Sequence, residues 1–254
     1  MKKLLHGFGF GLSGKDTGLC QKSVFSSPNS TPRTPLNQEL NILHCDKDHA
    51  VVLKAAGLST HGRGRHHLSA LLTRSTELPK GSKPLHRLDH GTRGPILVAW
   101  NSEVFEAFQA QWPFITKTYH SWVSGNQLPY AGQCGFPIDG KPCRSKFRVL
   151  GIRNWAVHGQ ASLVEWTIET GRTHQIRRHA SAMGHPVVGD TVYGTPPIYT
   201  GAGLHLTCTQ LDYRHPITGE ALAVQVRPAK KMKRVVPGAF TPFVTSKFTK
   251  LFEG

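Results

Sequence analysis

Residues 84–92 are Pro-Leu-His-Arg-Leu-Asp-His-Gly-Thr, and residues 95–100 are Pro-Ile-Leu-Val-Ala-Trp. The first stretch places Asp89 among histidine and arginine neighbours, and the second is apolar enough to form a buried strand. A carboxylate held ionised by positive charge at the mouth of such a strand can act as a nucleophile or a base. Because Asp-His-Gly is also ordinary turn chemistry, a plain turn remains the alternative at this point.

The charge balance indicates a polyanionic partner. The 254 residues include 31 Lys and Arg against 15 Asp and Glu, which gives a formal net charge of +16. A field of this strength attracts nucleic acid or anionic lipid. No segment approaches the roughly 18 consecutive apolar residues of a membrane-spanning helix, and no basic amphipathic stretch stands out. We therefore expect a nucleic-acid partner and no membrane association.

Cysteine usage favours free thiols in a reducing compartment. The five cysteines are odd in number, scattered, and never spaced as Cys-x-x-Cys, so we expect no metal site despite 15 histidines. The N-terminus lacks the apolar core of a secretion signal, and a cytoplasmic protein is predicted. An organelle transit peptide is the alternative, because the first 35 residues hold one acid and many Ser and Thr.

Composition and periodicity divide the chain into three parts. Residues 1–37 are predicted to be a loosely ordered extension, residues 38–236 the folded domain, and residues 237–254 a tail. Besides residues 95–100, strands are predicted at 40–44, 50–54, 117–123, 146–151, 161–169 and 221–227. Helices are predicted at 66–74 and 102–112, the second with Ser102 as its N-cap. This order predicts an α+β fold with a mixed, mainly antiparallel central sheet, flanking helices and basic loops.

A second dense stretch, Glu-Thr-Gly-Arg-Thr-His-Gln-Ile-Arg-Arg-His, covers residues 169–179. Thr173 is predicted to cap a helix that runs to about residue 183 and stops at Gly184. Ile176, Ala180 and Met183 share one face, which should pack on the core.

Arg172, His174, Arg177 and Arg178 crowd the start of this helix. Cations there oppose the helix macrodipole, so we expect a nearby anion, either a phosphate or a protein carboxylate. A solvated basic helix face is the alternative. Pairing Arg177 with Asp89 would give the helix start its anion and the Asp89 carboxylate a cation.

These residues carry a family resemblance. The run His86–Asp89 followed by Thr92-x-Gly94 resembles the catalytic motif of the RluA-type pseudouridine synthases. The second signature of that family resembles residues 171–177, with Gly184-His185-Pro186-x-x-Gly189-Asp190 following it. The segment that supplies its active-site tyrosine resembles Lys117-Thr118-Tyr119, and its C-terminal strands resemble 204–205 and 215–220. The likeness runs from about residue 40 to residue 228, in one order.

The resemblance implies the pseudouridine synthase fold and cofactor-free isomerisation of uridine to pseudouridine in ribosomal or transfer RNA. Asp89 then matches the essential aspartate, which attacks the sugar or the base or removes a ribose proton; these options stay open. Tyr119 matches the residue that stacks on the target base and can help remove its C5 proton; a cross-strand packing aromatic is the alternative. Arg177 matches the arginine that pairs with the aspartate and keeps it ionised. The uridine must be flipped out of its stack to reach them.

Side chains of the two motifs are expected to bind the substrate, namely His86, Arg87, Arg93, Arg172, His174 and Ile176. Arg93 replaces the usual serine of the family, which could add a phosphate contact or narrow the pocket. Residues 53–57 also depart from the usual Asn-Lys-Pro-x-Gly. The N-terminal stretch does not resemble the RNA-binding domain of many relatives, so further RNA contacts are expected from Arg63, Arg65, Lys80, Lys83 and residues 230–234.

Two other functions remain as alternatives. One is a catalytically silent RNA-binding relative, against which the retention of Asp89, Tyr119 and Arg177 argues. The other is a glycosidase-like hydrolase of nucleic acid, which is weakened because no second carboxylate lies in an obvious partner motif. A monomer is expected.

Overall fold

The computed structural model describes residues 40–155, 159–196, 198–199, 201–234 and 240–242. The predicted extension, residues 1–37, lies outside this part of the chain. The described strands are β1 (Ile42–Cys45), β2 (His49–Lys54), β3 (Lys83–Pro84), β4 (Gly94–Ala99), β5 (Thr116–Ser124), β6 (Ala131–Cys134), β7 (Ser145–Trp155), β8 (Gly159–Ile168), β9 (Leu206–Arg214), β10 (Ala221–Gln225) and β11 (Phe240–Pro242). The helices are α1 (Leu68–Arg74), α2 (Ser102–Ala110), α3 (Gln175–Ala182) and α4 (Lys231–Arg234), with a 3-10 turn at Trp112–Phe114.

The strands form two sheets. The smaller sheet has the order β1-β2-β4-β3, and the larger has the order β10-β9-β5-β8-β7-β11, with β6 also paired to β7. Every pairing between these described strands is antiparallel. Parallel pairing is confined to single bridges, such as the one between Arg93 and Thr207. The predicted α+β class with a mainly antiparallel sheet is therefore confirmed.

The two sheets meet where β4 begins, a few residues after Asp89. The amide of Cys208 donates to the Arg93 carbonyl at 2.9 Å. A Cβ atom at Gly94 would lie 2.8 Å from the carbonyl oxygen of Cys208, so the close approach of β9 requires glycine here. The loop that carries Asp89 is therefore held at the junction of both sheets.

Strand β4 is buried along its whole length because helices cover both of its faces. Ile96 and Val98 pack with Leu68 and Leu72 of α1 in one core cluster. Leu97 and Ala99 pack in a second cluster, together with residues of α2. A strand covered on two sides needs apolar residues at successive positions, which explains the uninterrupted apolar run.

The predicted helices are found, but their first residues differ. The N-cap of α2 is Asn101, whose side chain accepts from the amide of Val104 at 2.9 Å, and Ser102 is already helical. The predicted cap at Thr173 is wrong as well: His174 precedes α3 in the left-handed conformation, with φ of 55°, and makes no side-chain cap bond. Gly184, with φ of +80°, ends the helix as predicted.

Side-chain periodicity did not predict β9, whose sequence is Leu-Thr-Cys-Thr-Gln-Leu-Asp-Tyr-Arg. Its buried positions include Thr207 and Thr209. The hydroxyl of Thr209 is bonded to buried His120 at 2.7 Å, so a polar residue occupies a core position. Binary patterning fails where a buried polar group finds its partner on another strand.

Strand β11 lies within the segment that the sequence assigned to a tail, and it pairs with Gly151–Arg153 of β7. None of the helices in the described ranges is long and apolar enough to cross a membrane. Cys134, Cys143 and Cys208 are free thiols.

Candidate active site

An open cleft of about 510 Å³ lies between the loop of residues 87–92, strand β5 and the start of α3. Its walls include Asp89, Tyr119, Arg172, Ile176 and Arg177. Residues that are far apart in the sequence thus surround one space.

Asp89 lies in a turn, as the alternative from its sequence suggested, and the turn presents its carboxylate to the cleft. The amide of Thr92 donates to the carbonyl of Asp89 at 3.0 Å. Thr60 holds the preceding residue from both sides, because its hydroxyl donates to the Leu88 carbonyl at 3.2 Å and accepts from the Leu88 amide at 3.1 Å. Thr60 was not singled out from the sequence, since this contact spans 28 positions of the chain.

Arg177 lies beside Asp89, but its principal partner is Asp190. Nη1 of Arg177 donates to Asp89 Oδ2 at 3.3 Å, whereas Nε and Nη2 donate to the two oxygens of Asp190 at 2.7 and 2.8 Å. Asp190 is buried and also accepts from the amides of Val192 and Tyr193, both at 3.0 Å. The bidentate pair fixes the guanidinium plane, so that one N–H remains for Asp89.

The electrostatics of this pair follow from burial and charge. Burial by itself lowers the pKa of Arg177, but its hydrogen bonds and ion pairs with Asp190, and to a smaller extent Asp89, raise that pKa above its usual value. Burial raises the pKa of Asp190, and the bonds from Arg177 and two backbone amides outweigh this and lower it. Arg177 therefore remains a cation within the cleft.

His174 lies on the other side of Asp89. Its Nε2 is 3.8 Å from Asp89 Oδ1, and its Nδ1 is hydrogen-bonded to the Tyr193 hydroxyl at 3.1 Å. The ring of Tyr193 also faces Arg177, whose guanidinium carbon lies 5.1 Å from the ring centroid. The left-handed backbone of His174 is uncommon for a non-glycine residue, and such conformations persist where the surroundings impose them.

Tyr119 lines the cleft from β5 and is otherwise buried, with 6% of its surface exposed. It lies opposite Trp166 of β8, and next to it the pairing with β9 shifts register. Burial raises the pKa of Tyr119 well above its usual value, with a further contribution from Cys208. The phenol is therefore protonated at neutral pH.

Beneath the Asp89 loop lies Lys54, a lysine with no exposed surface. Its Nζ donates to the carbonyls of Leu58 at 2.5 Å and Ala55 at 3.0 Å, and lies 3.5 Å from that of His90. Burial lowers the pKa of Lys54 to about 8, although the charge of Asp89 acts in the opposite direction. The sequence marked this position only as part of a departure from the family pattern.

Four predicted substrate-binding residues line the cleft: Arg87, Arg172, His174 and Ile176. Arg87 is exposed and Ile176 is buried in the core cluster next to the cleft. Nε of Arg172 is buried and has no hydrogen-bond partner among the described residues.

The structure places the other two predicted substrate-binding residues outside the cleft lining. Nε2 of His86 accepts from the Leu97 amide at 3.1 Å, and burial lowers the pKa of His86 to about 3. Nη1 of Arg93 donates to the carbonyl of Arg227 at 2.7 Å. His86 thus bonds to β4, and Arg93 bonds to the segment that follows β10.

Protein carboxylates provide the anions expected at the start of α3. Asp89 and Asp190 pair with Arg177, and Asp139 pairs with Arg178 at 2.9 Å. The conflict between the cations and the helix macrodipole is therefore relieved by three aspartates.

Comparison with known proteins assigns a family. The sequence profile of the RNA pseudouridylate synthase family matches residues 48–182, which include Asp89, Tyr119 and Arg177. The chain is 31% identical over 216 residues to the dual-specificity RNA pseudouridine synthase RluA of Pasteurella multocida, covering 77% of this chain and 96% of that protein. It is 35% identical over 214 residues to the ribosomal large subunit pseudouridine synthase D of Nitrosomonas europaea, covering 72% of this chain and 60% of that protein.

Solved structures share the fold. Human RNA pseudouridylate synthase domain containing 1 superposes with a TM-score of 0.69 at 23% identity, covering 87% of this chain and 96% of that one. Human RNA pseudouridylate synthase domain containing 4 superposes with a TM-score of 0.61 at 23% identity, covering 76% and 90%. Together with the sequence matches, this shows that the chain belongs to the RluA-type RNA pseudouridine synthase family and is an isomerase of that class.

Proposed function

We propose that this chain isomerises specific uridines in structured ribosomal or transfer RNA, with Asp89 as the catalytic aspartate. The observation that supports this assignment is the place of Asp89 in the cleft. It is the one carboxylate among the described residues that line the cleft, and a cation lies 3.3 Å away. A two-carboxylate hydrolase would need a second acid in the same lining, so isomerisation fits better.

The reaction balances without a cofactor. The bond from ribose C1′ to uracil N1 breaks, a bond from C1′ to C5 forms, C5 loses a proton and N1 gains one. Asp89 can begin this sequence as a nucleophile or as a base, because one side of its carboxylate faces the cleft while Arg177 stabilises the negative charge.

Tyr119 is proposed to contact the target base. A buried, protonated phenol is a poor proton acceptor, so its raised pKa favours stacking or hydrogen bonding over removal of the C5 proton. Ile176 would pack against the uracil ring, since its buried side chain lines the cleft.

RNA binding is proposed to rest on charge around the cleft. The net charge of +16 attracts the phosphate backbone. Arg87 is exposed at the rim, and the unpaired Nε of Arg172 can donate to a phosphate or a base. Ribosomal and transfer RNA are the proposed substrates because the relatives include a dual-specificity enzyme and a ribosomal large subunit enzyme.

We further propose that the catalytic domain spans residues 38–236, flanked by an N-terminal extension and a C-terminal tail. It would act in the cytoplasm as a monomer, without a catalytic metal or other cofactor. The free thiols of Cys134, Cys143 and Cys208 support a reducing compartment.

Tritium release from RNA labelled at uridine C5 tests the proposal. Ribosomal and transfer RNA transcripts are incubated separately with the wild type, with Asp89→Asn and with Asp139→Asn, whose carboxylate pairs with Arg178 outside the cleft lining. We expect release by the wild type and by Asp139→Asn, and none by Asp89→Asn.

Other outcomes would decide against the proposal. Binding of RNA without release from any transcript would favour the silent RNA-binding relative. A free uracil product would favour the hydrolase. Release by Asp89→Asn at the wild-type rate would exclude Asp89 as the catalytic aspartate.

A further inference from the structure

A second group of titratable side chains lies far from the cleft, at the opposite end of β2. The turn between β1 and β2 is His-Cys-Asp-Lys-Asp-His, residues 44–49, and most of these residue types can bind a metal. His215 approaches from the turn that follows β9. Because β2 spans six residues, this Asp46 cluster, made of His44, Asp46, Asp48, His49 and His215, lies roughly 17 Å from the cleft end of the strand.

The carboxylate of Asp46 is the centre of the cluster. Its Oδ2 lies 3.0 Å from His44 Nε2, 3.0 Å from His49 Nδ1 and 3.2 Å from His215 Nε2. Its Oδ1 accepts from the backbone amides of Asp48 and His49, both at 2.8 Å. Three imidazole nitrogens therefore converge on an oxygen that has two lone pairs.

The hydrogen bonds of the cluster leave one buried nitrogen unpaired. His49 has no exposed surface, and its Nδ1 approaches Asp46 at an angle that does not make a hydrogen bond. Neither His49 Nδ1 nor Asp48 Oδ2 has a hydrogen-bond partner within the described part of the chain. Asp48 Oδ2 lies 3.5 Å from His215 Nε2, whereas the buried Nδ1 of His49 is left without a hydrogen bond, which is costly and favours a further bound group.

The position of the proton on each imidazole ring decides which histidine nitrogens can bind a metal. Nδ1 of His215 accepts from the amides of Ile217 and Thr218, both at 3.1 Å, so the proton of its neutral ring is on Nε2 and points at the carboxylates. Nε2 of His49 lies 2.8 Å from the Tyr213 hydroxyl, to which it can donate. Nδ1 of His49 then has a free lone pair directed into the cluster.

We propose that His44 Nε2, His49 Nδ1 and the Asp46 carboxylate bind one divalent transition-metal ion, with Zn²⁺ as the first candidate. The ion would replace the hydrogen bond between His44 Nε2 and Asp46 Oδ2, with the proton of His44 moving to its Nδ1. Imidazole and carboxylate ligands suit this ion, and two ligands of one tetrahedral Zn²⁺ lie about 3.4 Å apart, close to the separations in the cluster. Asp48 belongs to a neighbouring group with Asp46 and His215, whose ligand atoms lie within 4.8 Å of one another, and is not counted in this ligand set. His215 orients the Asp46 carboxylate from outside the ligand set.

The proposed ion has a structural role. It would hold the β1–β2 turn of the smaller sheet against the β9–β10 turn of the larger one, through the 3.2 Å contact between His215 Nε2 and Asp46 Oδ2. This reverses our expectation of no metal site, which rested on the absence of Cys-x-x-Cys pairs. The proposal is independent of the isomerisation chemistry.

Metal binding to the full-length chain tests this directly. After removal of metals with EDTA, Zn²⁺ is titrated by calorimetry and its stoichiometry is measured by mass spectrometry of the dialysed protein. We expect one Zn²⁺ per chain and a higher melting temperature with Zn²⁺ than without. His44→Ala should weaken binding at least about tenfold, whereas His66→Ala, which removes an exposed histidine outside the cluster, should bind as the wild type does.

Two results would overturn the site. One is a wild type that binds no stoichiometric Zn²⁺, in which case the cluster is a hydrogen-bonded network alone. The other is equal binding by His44→Ala and His66→Ala, which would place the ion elsewhere. His44 is partly exposed, so its alanine variant is expected to fold; His49→Gln provides a second test in a buried position.

Discussion

Two aspartates of this chain have nearly the same neighbours in sequence and opposite surroundings in the structure. Asp89 lies within His-Arg-Leu-Asp-His, and Asp46 within His-Cys-Asp-Lys-Asp-His. Asp89 has one arginine nitrogen at 3.3 Å and one imidazole nitrogen at 3.8 Å, and it faces an open cleft. Asp46 has five nitrogens within 3.2 Å.

The difference shows what a reactive carboxylate needs. Two backbone amides and three imidazole nitrogens enclose the Asp46 carboxylate, so an RNA substrate cannot approach its oxygens. Asp89 is held by a single long bond from Arg177, whose position is set by Asp190 rather than by Asp89. A carboxylate can react when the charged side chains around it are held mainly by one another and leave its own oxygens free.

Arg177→Ala is expected to have the largest effect of the substitutions considered, a loss of kcat. Without the guanidinium, Asp89 loses its counter-ion and Asp190 becomes an unpaired buried charge, so kcat should fall on the order of a thousandfold. Single-turnover tritium release measures this. Arg178→Ala is the matched control, because the next arginine of α3 pairs with Asp139 and not with Asp89. Equal losses in both variants would contradict the special role of Arg177.

Asp46→Asn should cost stability more than Asp89→Asn does. In metal-free protein, the asparagine disrupts a network of buried imidazoles, and the free energy of unfolding should fall by about 3 kcal/mol. The same substitution at Asp89 removes one long ion pair and should change it by less than about 1 kcal/mol. Urea denaturation of both variants measures the difference. Similar losses in the free energy of unfolding would show that the two carboxylates contribute equally to stability.

Asp190→Asn should lower kcat by one to two orders of magnitude, about 1.4 to 2.8 kcal/mol. The asparagine still accepts from the amides of Val192 and Tyr193 but no longer forms a charged bidentate pair with Arg177. Because Asp190 acts through Arg177, we expect kcat to fall while the Kd for RNA stays near its wild-type value. A variant that loses RNA affinity and keeps kcat would contradict this positioning role.

The smallest predicted effect is the pH dependence of stability that arises from Lys54. Its pKa in the folded chain is lowered to about 8, so the cost of burying its charge is present below pH 8 and is relieved as the pH rises toward the unfolded value. Between pH 7 and pH 9 the wild type should gain about 1 kcal/mol relative to Lys54→Met. Denaturation of both proteins at the two pH values measures this. A difference that does not change with pH would show that Lys54 titrates normally.

Local sequence predicted the parts of the fold that depend on neighbouring residues. The apolar run of β4 and the packing face of α3 follow from side-chain periodicity, since burial of Ile96 or Ile176 is decided by which face is apolar. Strand β9 and the N-cap of α3 were missed. In β9 buried threonines replace apolar residues, and at His174 the backbone conformation is imposed by contacts with Asp89 and Tyr193.

The sequence predicted those site residues that lie in recognisable motifs. It did not predict contacts between residues that are distant in the chain. Asp89, Tyr119 and Arg177 were all named from the sequence, and they line one cleft. The clamp by Thr60 and the pairing of Asp190 with Arg177 were not foreseen. His86 and Arg93, which were predicted to bind the substrate, lie outside the cleft lining.

By itself the sequence determined the charge, the α+β class and the residue types available for chemistry, because these depend on composition and short-range pattern. Only the tertiary structure decided which aspartate faces the cleft and which is surrounded by histidines. The reason is physical: the state of a carboxylate depends on donors within about 3 Å, and those donors come from strands that are distant in the chain. His215 approaches Asp46 across 169 positions, and Arg177 approaches Asp89 across 88.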